Sequence, residues 1–164
     1  MKPKIITIVG KSDSGKTTLL EKLILDLTQK GYKIGSVKHA HDSFEMDKEG
    51  KDSWRHKRAG AASTLVITHD KIAMIKDDKT GYLEKMQYYL GDNDIILAEG
   101  FKKQQLPKIE IFRTQSLHKE PLCMDDKNLI AFVTDSDYKP DVPLFKLNAI
   151  SKIADFIELN FLKL

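Results

Sequence analysis

A glycine-rich motif near the N-terminus constrains this chain more than any other feature of its sequence. Residues 10–17 read Gly-Lys-Ser-Asp-Ser-Gly-Lys-Thr, which matches the phosphate-loop pattern G-x-x-x-x-G-K-[ST] at every required position. An apolar, β-branched run at residues 4–9 precedes the motif, and leucines and isoleucines at helical spacing follow it. In the order strand, loop, helix, backbone N–H groups and the helix N-terminus converge on phosphate oxygens. The sequence therefore predicts a Walker A phosphate loop that binds a nucleoside triphosphate.

Two side chains of this loop have predicted roles. Lys16 is expected to neutralise the β- and γ-phosphates, and the Thr17 hydroxyl is expected to bind Mg²⁺. A Gly/Ser turn that binds nothing is the alternative, and the strand before the loop and the helix after it argue against that. The residues of the loop that we predict to bind nucleotide are Gly10, Lys11, Ser12, Asp13, Ser14, Gly15, Lys16 and Thr17, together with Thr18 directly after it.

Length and composition limit the remaining possibilities. A chain of 164 residues suits one domain with a real core, so we predict a single nucleotide-binding domain over residues 1–164. The net charge of +3 is small, which argues against a nucleic-acid partner. No apolar run approaches the length that spans a membrane, so no membrane association is expected. The single cysteine, Cys123, cannot form an internal disulfide, and we expect a cytoplasmic protein.

Strand and helix patterns alternate along the chain, which favours an α/β fold. Strands are predicted at 4–9, 33–38, 94–100, 109–113 and 129–134, and helices at 16–30, from 52 or 53 to about 61, at 82–90 and at 150–161. Two short runs within 64–76 predict a β-hairpin, and 115–127 is expected to be a surface excursion. This order predicts a P-loop NTPase-type, mostly parallel sheet with helices on both faces, plus the hairpin.

A second acidic motif follows the strand predicted at 94–100. The run Ile-Ile-Leu-Ala at 95–98 ends in Glu99. Because ligands of open α/β sheets bind beyond the carboxyl ends of the strands, Glu99 is predicted to reach Thr17 and hold Mg²⁺, directly or through water. An ordinary exposed acid at a strand end is the alternative. Asp94 begins the same strand and is expected at the opposite edge.

A polar segment at residues 38–55 concentrates ionisable groups after the second strand. It could act as a switch-like loop near the γ-phosphate, supply a general base, or bind a transition metal. The plain alternative is a solvated loop followed by a solvated helix face. Lys51, Arg55 and Arg58 share a helical face that could bind an anionic ligand. The predicted substrate or partner residues are Lys38, His39, His41, Asp47, Lys51, Asp52 and Arg55.

Recognition of the base is predicted to involve the end of a later strand. The guanine-reading motif Asn-Lys-x-Asp is absent from the sequence, but Asp135 follows the strand at 129–134. A carboxylate there could accept from the N1–H and N2–H₂ donors of guanine, a pair that adenine lacks. A turn-forming aspartate is the alternative.

Taken together, the motifs resemble the MobB family, adaptor proteins of molybdopterin-guanine dinucleotide biosynthesis. They are the phosphate loop, Val-Lys-His-Ala-His at 37–41, Gly-Lys-Asp-Ser-Trp-Arg-His at 50–56, Ala-Gly-Ala at 59–61, Ala-Glu-Gly-Phe-Lys at 98–102 and Pro-Lys-Ile-Glu at 107–110. The resemblance implies a phosphate-loop α/β fold that binds GTP with Mg²⁺, hydrolyses it weakly and forms homodimers. It also implies a molybdopterin guanylyltransferase (MobA-like) partner and the molybdopterin cofactor as a further ligand.

Two other functions remain open at this point. A small-molecule P-loop kinase would use residues 39–58 to bind an acceptor, although such kinases usually need an arginine-rich lid. This chain has three arginines, Arg55, Arg58 and Arg113, and none lies in a lid-like segment. A metal-delivery GTPase would instead use His39 and His41 of a dimer.

Overall fold

The computed structural model describes residues 2–40, 44 and 47–163. Its elements in chain order are β1 (Lys4–Val9), α1 (Lys16–Gln29), β2 (Ile34–Lys38), α2 (Asp52–Arg58), β3 (Ser63–Ile67), β4 (Ile72–Lys76), α3 (Tyr82–Tyr89), β5 (Ile95–Glu99), β6 (Lys108–Phe112), β7 (Leu129–Thr134), β8 (Leu144–Phe145) and α4 (Ile150–Ile157). The chain divides into two compact units. The first joins the described residues up to His39 with those from Leu83 onward, and the second lies within Ala40–Tyr82.

The first unit is built on a six-stranded sheet in the order β2-β5-β1-β6-β7-β8. Every neighbouring pair in this sheet is parallel, which confirms the predicted parallel architecture. β1 lies between β5 and β6, with Ile8 opposite Glu99 on one side and Ile109 on the other. The carboxyl ends of these three strands therefore meet at one edge of the sheet.

Alternating residues of the strands pack against helices on both faces of the sheet, as predicted. Ile6 and Ile8 of β1 are fully buried in the core that includes Leu23 of α1 and Ile153 of α4. Ile5 of β1 points the other way and packs with Met86 of α3 and Ile96 of β5. This period of two along β1 is what a strand covered on both faces requires.

Two charged side chains of β6 are buried in the first unit. Lys108 is 1% exposed, and its Nζ donates to the Gln104 carbonyl at 2.7 Å and to Asp126 at 2.8 Å. Glu110 accepts the N–H groups of Leu122 and Cys123 at 2.5 and 2.8 Å. Both side chains thus attach the β6–β7 connection to the sheet.

The β6–β7 connection differs from its prediction as a surface excursion. Cys123 is buried in a cluster with Val9 and Leu129, so this segment covers part of the sheet. Burial raises the pKa of the Cys123 thiol to about 11. Burial also raises the pKa of Glu110, against the opposing effect of the two N–H groups it accepts. The sequence gives no helical or strand periodicity here because the segment packs irregularly.

The C-terminal region also departs from its predicted single helix at 150–161. The α-helix ends at Ile157, and a π-helical turn, Glu158–Leu162, follows. Glu158 accepts hydrogen bonds from Lys30 and Tyr32 near the end of α1 at 2.9 Å each, and it pairs with Lys163. These bonds lower the pKa of the Glu158 carboxyl to about 2. Strand β8, only two residues long, is too short for a sequence pattern.

The second unit contains α2 and the antiparallel pair β3–β4, in which Ile67 lies opposite Ile72. The predicted hairpin is confirmed, whereas the helix ends at Arg58, before the predicted end near residue 61. Lys57 of α2 donates to the Ala61 carbonyl and pairs with Asp77, just after β4. Arg58 lies 5.3 Å from the centre of the Trp54 ring. In the described part of the chain, no helix is long and apolar enough to cross a membrane.

Candidate nucleotide-binding site

The phosphate loop connects β1 to α1 with the backbone conformation that its sequence demands. Gly10, Asp13 and Gly15 all have positive φ, of 152°, 60° and 93°. A Cβ on Gly10 would lie 2.5 Å from the Ile111 carbonyl oxygen and 2.5 Å from the Ser14 hydroxyl. No larger residue fits there without moving backbone. The predicted strand–loop–helix arrangement is therefore present, with the loop lying against β6.

Thr17 and Glu99 come together at the carboxyl edge of the sheet. Thr17 lies in the first turn of α1 and Glu99 ends β5. The Thr17 hydroxyl donates to Glu99 Oε2 at 3.0 Å. Lys38, at the end of β2, places its Nζ 3.7 Å from Glu99 Oε1. The parallel pairing of β5 with both β1 and β2 brings these ends together.

This pair of oxygen donors fits Mg²⁺. Magnesium prefers oxygen ligands and usually takes one or two from protein, with the rest from phosphates and water. Hydroxyl and carboxylate together supply that set at the mouth of the loop. Among the described residues, no group of three or more His, Cys, Asp or Glu side chains is arranged to hold a metal. The hydroxyl and the carboxylate present here suit a cation that is shared with a phosphate ligand.

Lys16 is held by the loop itself. Its Nζ donates to the Lys11 carbonyl at 2.7 Å. Partial burial lowers the pKa of Lys16, while the carboxylates of Glu99 and Asp13 oppose that shift. A partly desolvated ammonium in this position is suited to an anionic ligand, which restores the solvation that the site removes.

The turn after Glu99 carries local strain. Gly100 and Phe101 both have positive φ, of 95° and 58°, and Phe101 is buried at 6% exposure. The His39 ring lies 4.8 Å from the Phe101 ring, and the His39 N–H donates to the Glu99 carbonyl at 3.0 Å. Strain of this kind clusters at functional sites. The pairing of β2 with β5 places the predicted His39 alongside Glu99.

The predicted partner segment continues beyond His39 into the second unit. Asp47, Lys51, Asp52 and Arg55 belong to the second unit, where Asp47 accepts from the Lys48 N–H and Asp52 begins α2. Their proposed role near the γ-phosphate stays a prediction. His41 lies outside the described residues.

Asp135 lies directly after β7, at the same edge of the sheet as the phosphate loop. Its Oδ1 accepts the N–H of Thr114, just beyond β6, at 2.8 Å, which orients an otherwise exposed carboxylate. The aspartate is thus tied to the neighbouring strand end, and its role in reading guanine stays a prediction.

Arg113 is a neighbour of the loop that the sequence did not reveal as a site residue. It directly follows β6, and its Cδ and Nη1 lie 3.7 and 3.9 Å from where a Cβ on Gly15 would be. The available signal was its position after a strand, but its relevance depends on β6 pairing with β1.

Comparison with known proteins identifies the family of this chain. A family model described as molybdopterin guanine dinucleotide synthesis protein B, MobB, matches residues 5–135. The chain belongs to the MobB family. It is 38% identical to the molybdopterin-guanine dinucleotide biosynthesis adapter protein of Haemophilus influenzae, over 94% of this chain and 87% of the relative. Identity to the adapter protein of that name from Escherichia coli is 34%, over 93% of this chain and 90% of the relative.

The fold agrees with solved MobB structures. The crystal structure of Bacillus subtilis MobB aligns over 98% of this chain and 98% of its own, with a TM-score of 0.74 and 26% sequence identity. Membership of the MobB family and the P-loop NTPase-like fold are thereby confirmed. The kinase and metal-delivery alternatives are not favoured by these similarities.

Proposed function

We propose that this chain is an adapter in molybdopterin-guanine dinucleotide biosynthesis that binds GTP with Mg²⁺ at the phosphate loop. The MobB family membership supports the adapter role, because two relatives that align with over nine-tenths of the chain are named adapter proteins. The hydrogen bond between Thr17 and Glu99 is the observation that best supports nucleotide and metal binding. It joins the end of the loop to the acid of a second motif.

The nucleotide spans the edge of the sheet in this proposal. Lys16 and the loop N–H groups bind the β- and γ-phosphates, Thr17 and Glu99 lie at the Mg²⁺ position, and Asp135 accepts from guanine. Bound Mg²⁺ supplies charge neutralisation to the phosphates. Hydrolysis is slow, because the carboxylate that reaches Thr17 is engaged by Thr17 and Lys38 and is poorly placed to take a proton from water.

Calorimetry with Mg-GTP, Mg-ATP and Mg-GDP tests this proposal. The wild type is expected to bind GTP at least about tenfold more tightly than ATP, a difference of about 1.4 kcal/mol. Lys16→Ala should remove most of the affinity, and Asp135→Asn should remove the preference for guanine. Lys152→Ala, on the exposed side of α4, removes one charge elsewhere and serves as the control. Equal affinity for ATP would refute the guanine assignment, and no binding of any nucleotide would refute the site.

The partner in this proposal is a molybdopterin guanylyltransferase of the MobA type, with the molybdopterin cofactor as a further ligand. The test is dinucleotide formation by that enzyme with and without this chain, in the presence of GTP. A rate that responds to the wild type but not to Lys16→Ala supports a nucleotide-dependent adapter. An enzyme indifferent to both proteins would contradict it.

A homodimer is the proposed assembly, and the hairpin of the second unit supports it. Its strands expose a run of large apolar side chains: Leu65, Val66, Ile67, Ile72 and Met74, which are 44–72% exposed. Leu65 lies opposite Met74 and Ile67 opposite Ile72, so these four side chains share one face of the hairpin. An exposed apolar face of this kind marks an interaction site. Sedimentation should show a dimer for the wild type and a monomer for Ile67→Lys. A monomeric wild type would contradict this assembly.

A further inference from the structure

Two buried polar atoms of the first unit stand out. Among its described residues, the buried side-chain atoms without a hydrogen-bond partner are Ser14 Oγ and Arg113 Nε. Both lie at the phosphate loop: Ser14 within it, and Arg113 against Gly15. Since buried polar groups in folded proteins are nearly always satisfied, each exception needs an explanation, and an acceptor supplied by a ligand is one.

Arg113 is the more telling of the two because it carries a charge. Its side chain is half-buried, and among the described residues none forms an ion pair or side-chain hydrogen bond with it. Partial burial of an unpaired cation is costly. The buried lysine of the same strand, Lys108, has both a carboxylate and a carbonyl as partners.

Sheet order tells which part of a nucleotide Arg113 would meet. Glu99 and Lys38 end the strands on one side of β1, whereas Arg113 and Asp135 follow the strands on the other side. A nucleotide with its metal-bound end at Glu99 and its base at Asp135 runs across the loop from β5 toward β7. Arg113 follows β6, between the loop and Asp135, where the phosphate chain gives way to the ribose.

We propose that Arg113 binds the α-phosphate end of the nucleotide, an inference that rests on the proposed nucleotide site. A guanidinium can donate two parallel N–H groups to phosphate oxygens, which gives a charge-assisted contact with fixed geometry. The backbone next to it is already fixed, because Asp135 accepts the Thr114 N–H and the Ser116 N–H donates to the Arg113 carbonyl. The phosphate contact and the base-reading carboxylate are thereby held by adjacent residues.

Calorimetry on two variants of this position tests the inference. Arg113→Ala is expected to weaken binding of GTP, GDP and GMP by a similar factor, about tenfold to a hundredfold, because all three carry the α-phosphate. Arg113→Lys should recover part of the loss, since lysine keeps the charge without the bidentate geometry. Lys152→Ala is the charge-matched control and should leave all three affinities unchanged. Guanosine, which has no phosphate, should bind to wild type and to Arg113→Ala with equal affinity.

Each contrary result has a distinct meaning. If the wild type binds normally and Arg113→Ala has unchanged affinities, the role of Arg113 is refuted while the proposed nucleotide site stands. A loss confined to GTP would place the contact at the γ-phosphate, and a matching loss for guanosine would place it on the base; either refutes the α-phosphate assignment. A wild type that binds no nucleotide would refute the proposed function itself. Arg113→Lys guards against a folding defect in the alanine variant.

Discussion

Each end of β6 carries one positively charged side chain. The two side chains differ in whether the protein supplies a partner for the charge. At the amino end, Lys108 is buried, and its ammonium meets Asp126 and the Gln104 carbonyl. Just past the carboxyl end, Arg113 is half-buried with its Nε unpartnered. The fold supplies partners for the first charge, whereas no described protein group pairs with the second. The unpaired cation is the one that lies beside the phosphate loop.

The same contrast extends along both edges of the sheet. At the amino edge, Asp94 accepts the Lys33 N–H at 2.7 Å. At the carboxyl edge lie Asp13 and Phe101, the two non-glycine residues with positive φ among those described. Strain and unmet hydrogen bonds therefore collect at the edge where ligands of parallel sheets bind, and the opposite edge stabilises the fold.

Removing each charge in turn and measuring stability tests whether the two ends of β6 differ. Lys108→Met keeps the bulk but leaves Asp126 and the Gln104 carbonyl without their partner, so we expect a loss of about 3 kcal/mol in the free energy of unfolding. Arg113→Ala removes a charge with no protein partner, together with some packing, and should change the free energy of unfolding by less than about 1 kcal/mol in either direction. Urea denaturation of both variants measures the difference.

A double variant separates the ion pair from packing. Lys108→Met combined with Asp126→Asn removes both charges, and we expect it to regain part of the stability lost in Lys108→Met alone. Equal losses of unfolding free energy in Lys108→Met and Arg113→Ala would show that the two charges do not differ in their contribution to stability.

Glu110 offers a test of intermediate size on the same strand. Glu110→Gln keeps the shape, but an amide has one acceptor oxygen for the two N–H groups of Leu122 and Cys123. We expect a loss of about 1–2 kcal/mol near neutral pH. Denaturation of wild type and variant at matched pH measures it, and Glu120→Gln, an exposed acid of the same connection, should change little.

The pH dependence of this effect has a definite sign. Burial raises the pKa of Glu110 in the folded protein above the ordinary value of 4.5. A raised pKa means that the folded state holds the proton more tightly, so the stability gained from protonation is fully present below pH 4.5. It is lost as the pH rises through the folded pKa. The stability difference between wild type and Glu110→Gln should therefore shrink from pH 4.5 toward neutrality; a constant difference would contradict the assigned burial effect.

Ser14 gives the smallest effect, with the opposite sign. Ser14 is 2% exposed, and its hydroxyl has no hydrogen-bond partner. Ser14→Ala therefore removes an unsatisfied group and should raise the free energy of unfolding by about 0.5–1 kcal/mol. Thermal denaturation detects such a change as a rise in Tm. Ser12→Ala, an exposed serine of the same loop, should leave Tm unchanged. A fall in Tm for Ser14→Ala would show that the hydroxyl is satisfied after all.

The parts of the site that could be predicted from the sequence are those that depend only on residues adjacent in the chain. The phosphate loop is a contiguous motif, and Glu99 stands at the end of an unmistakably apolar strand, so both could be placed from their immediate neighbours. The near-continuous apolar runs of β1, β5 and β7 likewise identify strands that are buried on both faces.

Arg113 and Lys108 could not be interpreted in that way. Their environments depend on β6 lying beside β1 and on the β6–β7 connection folding back over the sheet, and neither is visible in the surrounding residues. Periodicity also fails for β8 and for the π-helical turn after α4, because two and five residues are too few to show a repeat.

The central place of β1 has a consequence for how the chain is made. β1 is synthesised before both of its neighbours, β5 and β6, which come from the later part of the chain. At roughly 5–20 residues per second, the nascent phosphate loop waits several seconds for a platform. The loop therefore reaches its binding geometry late in synthesis, and a truncated chain that stops before β6 cannot complete it.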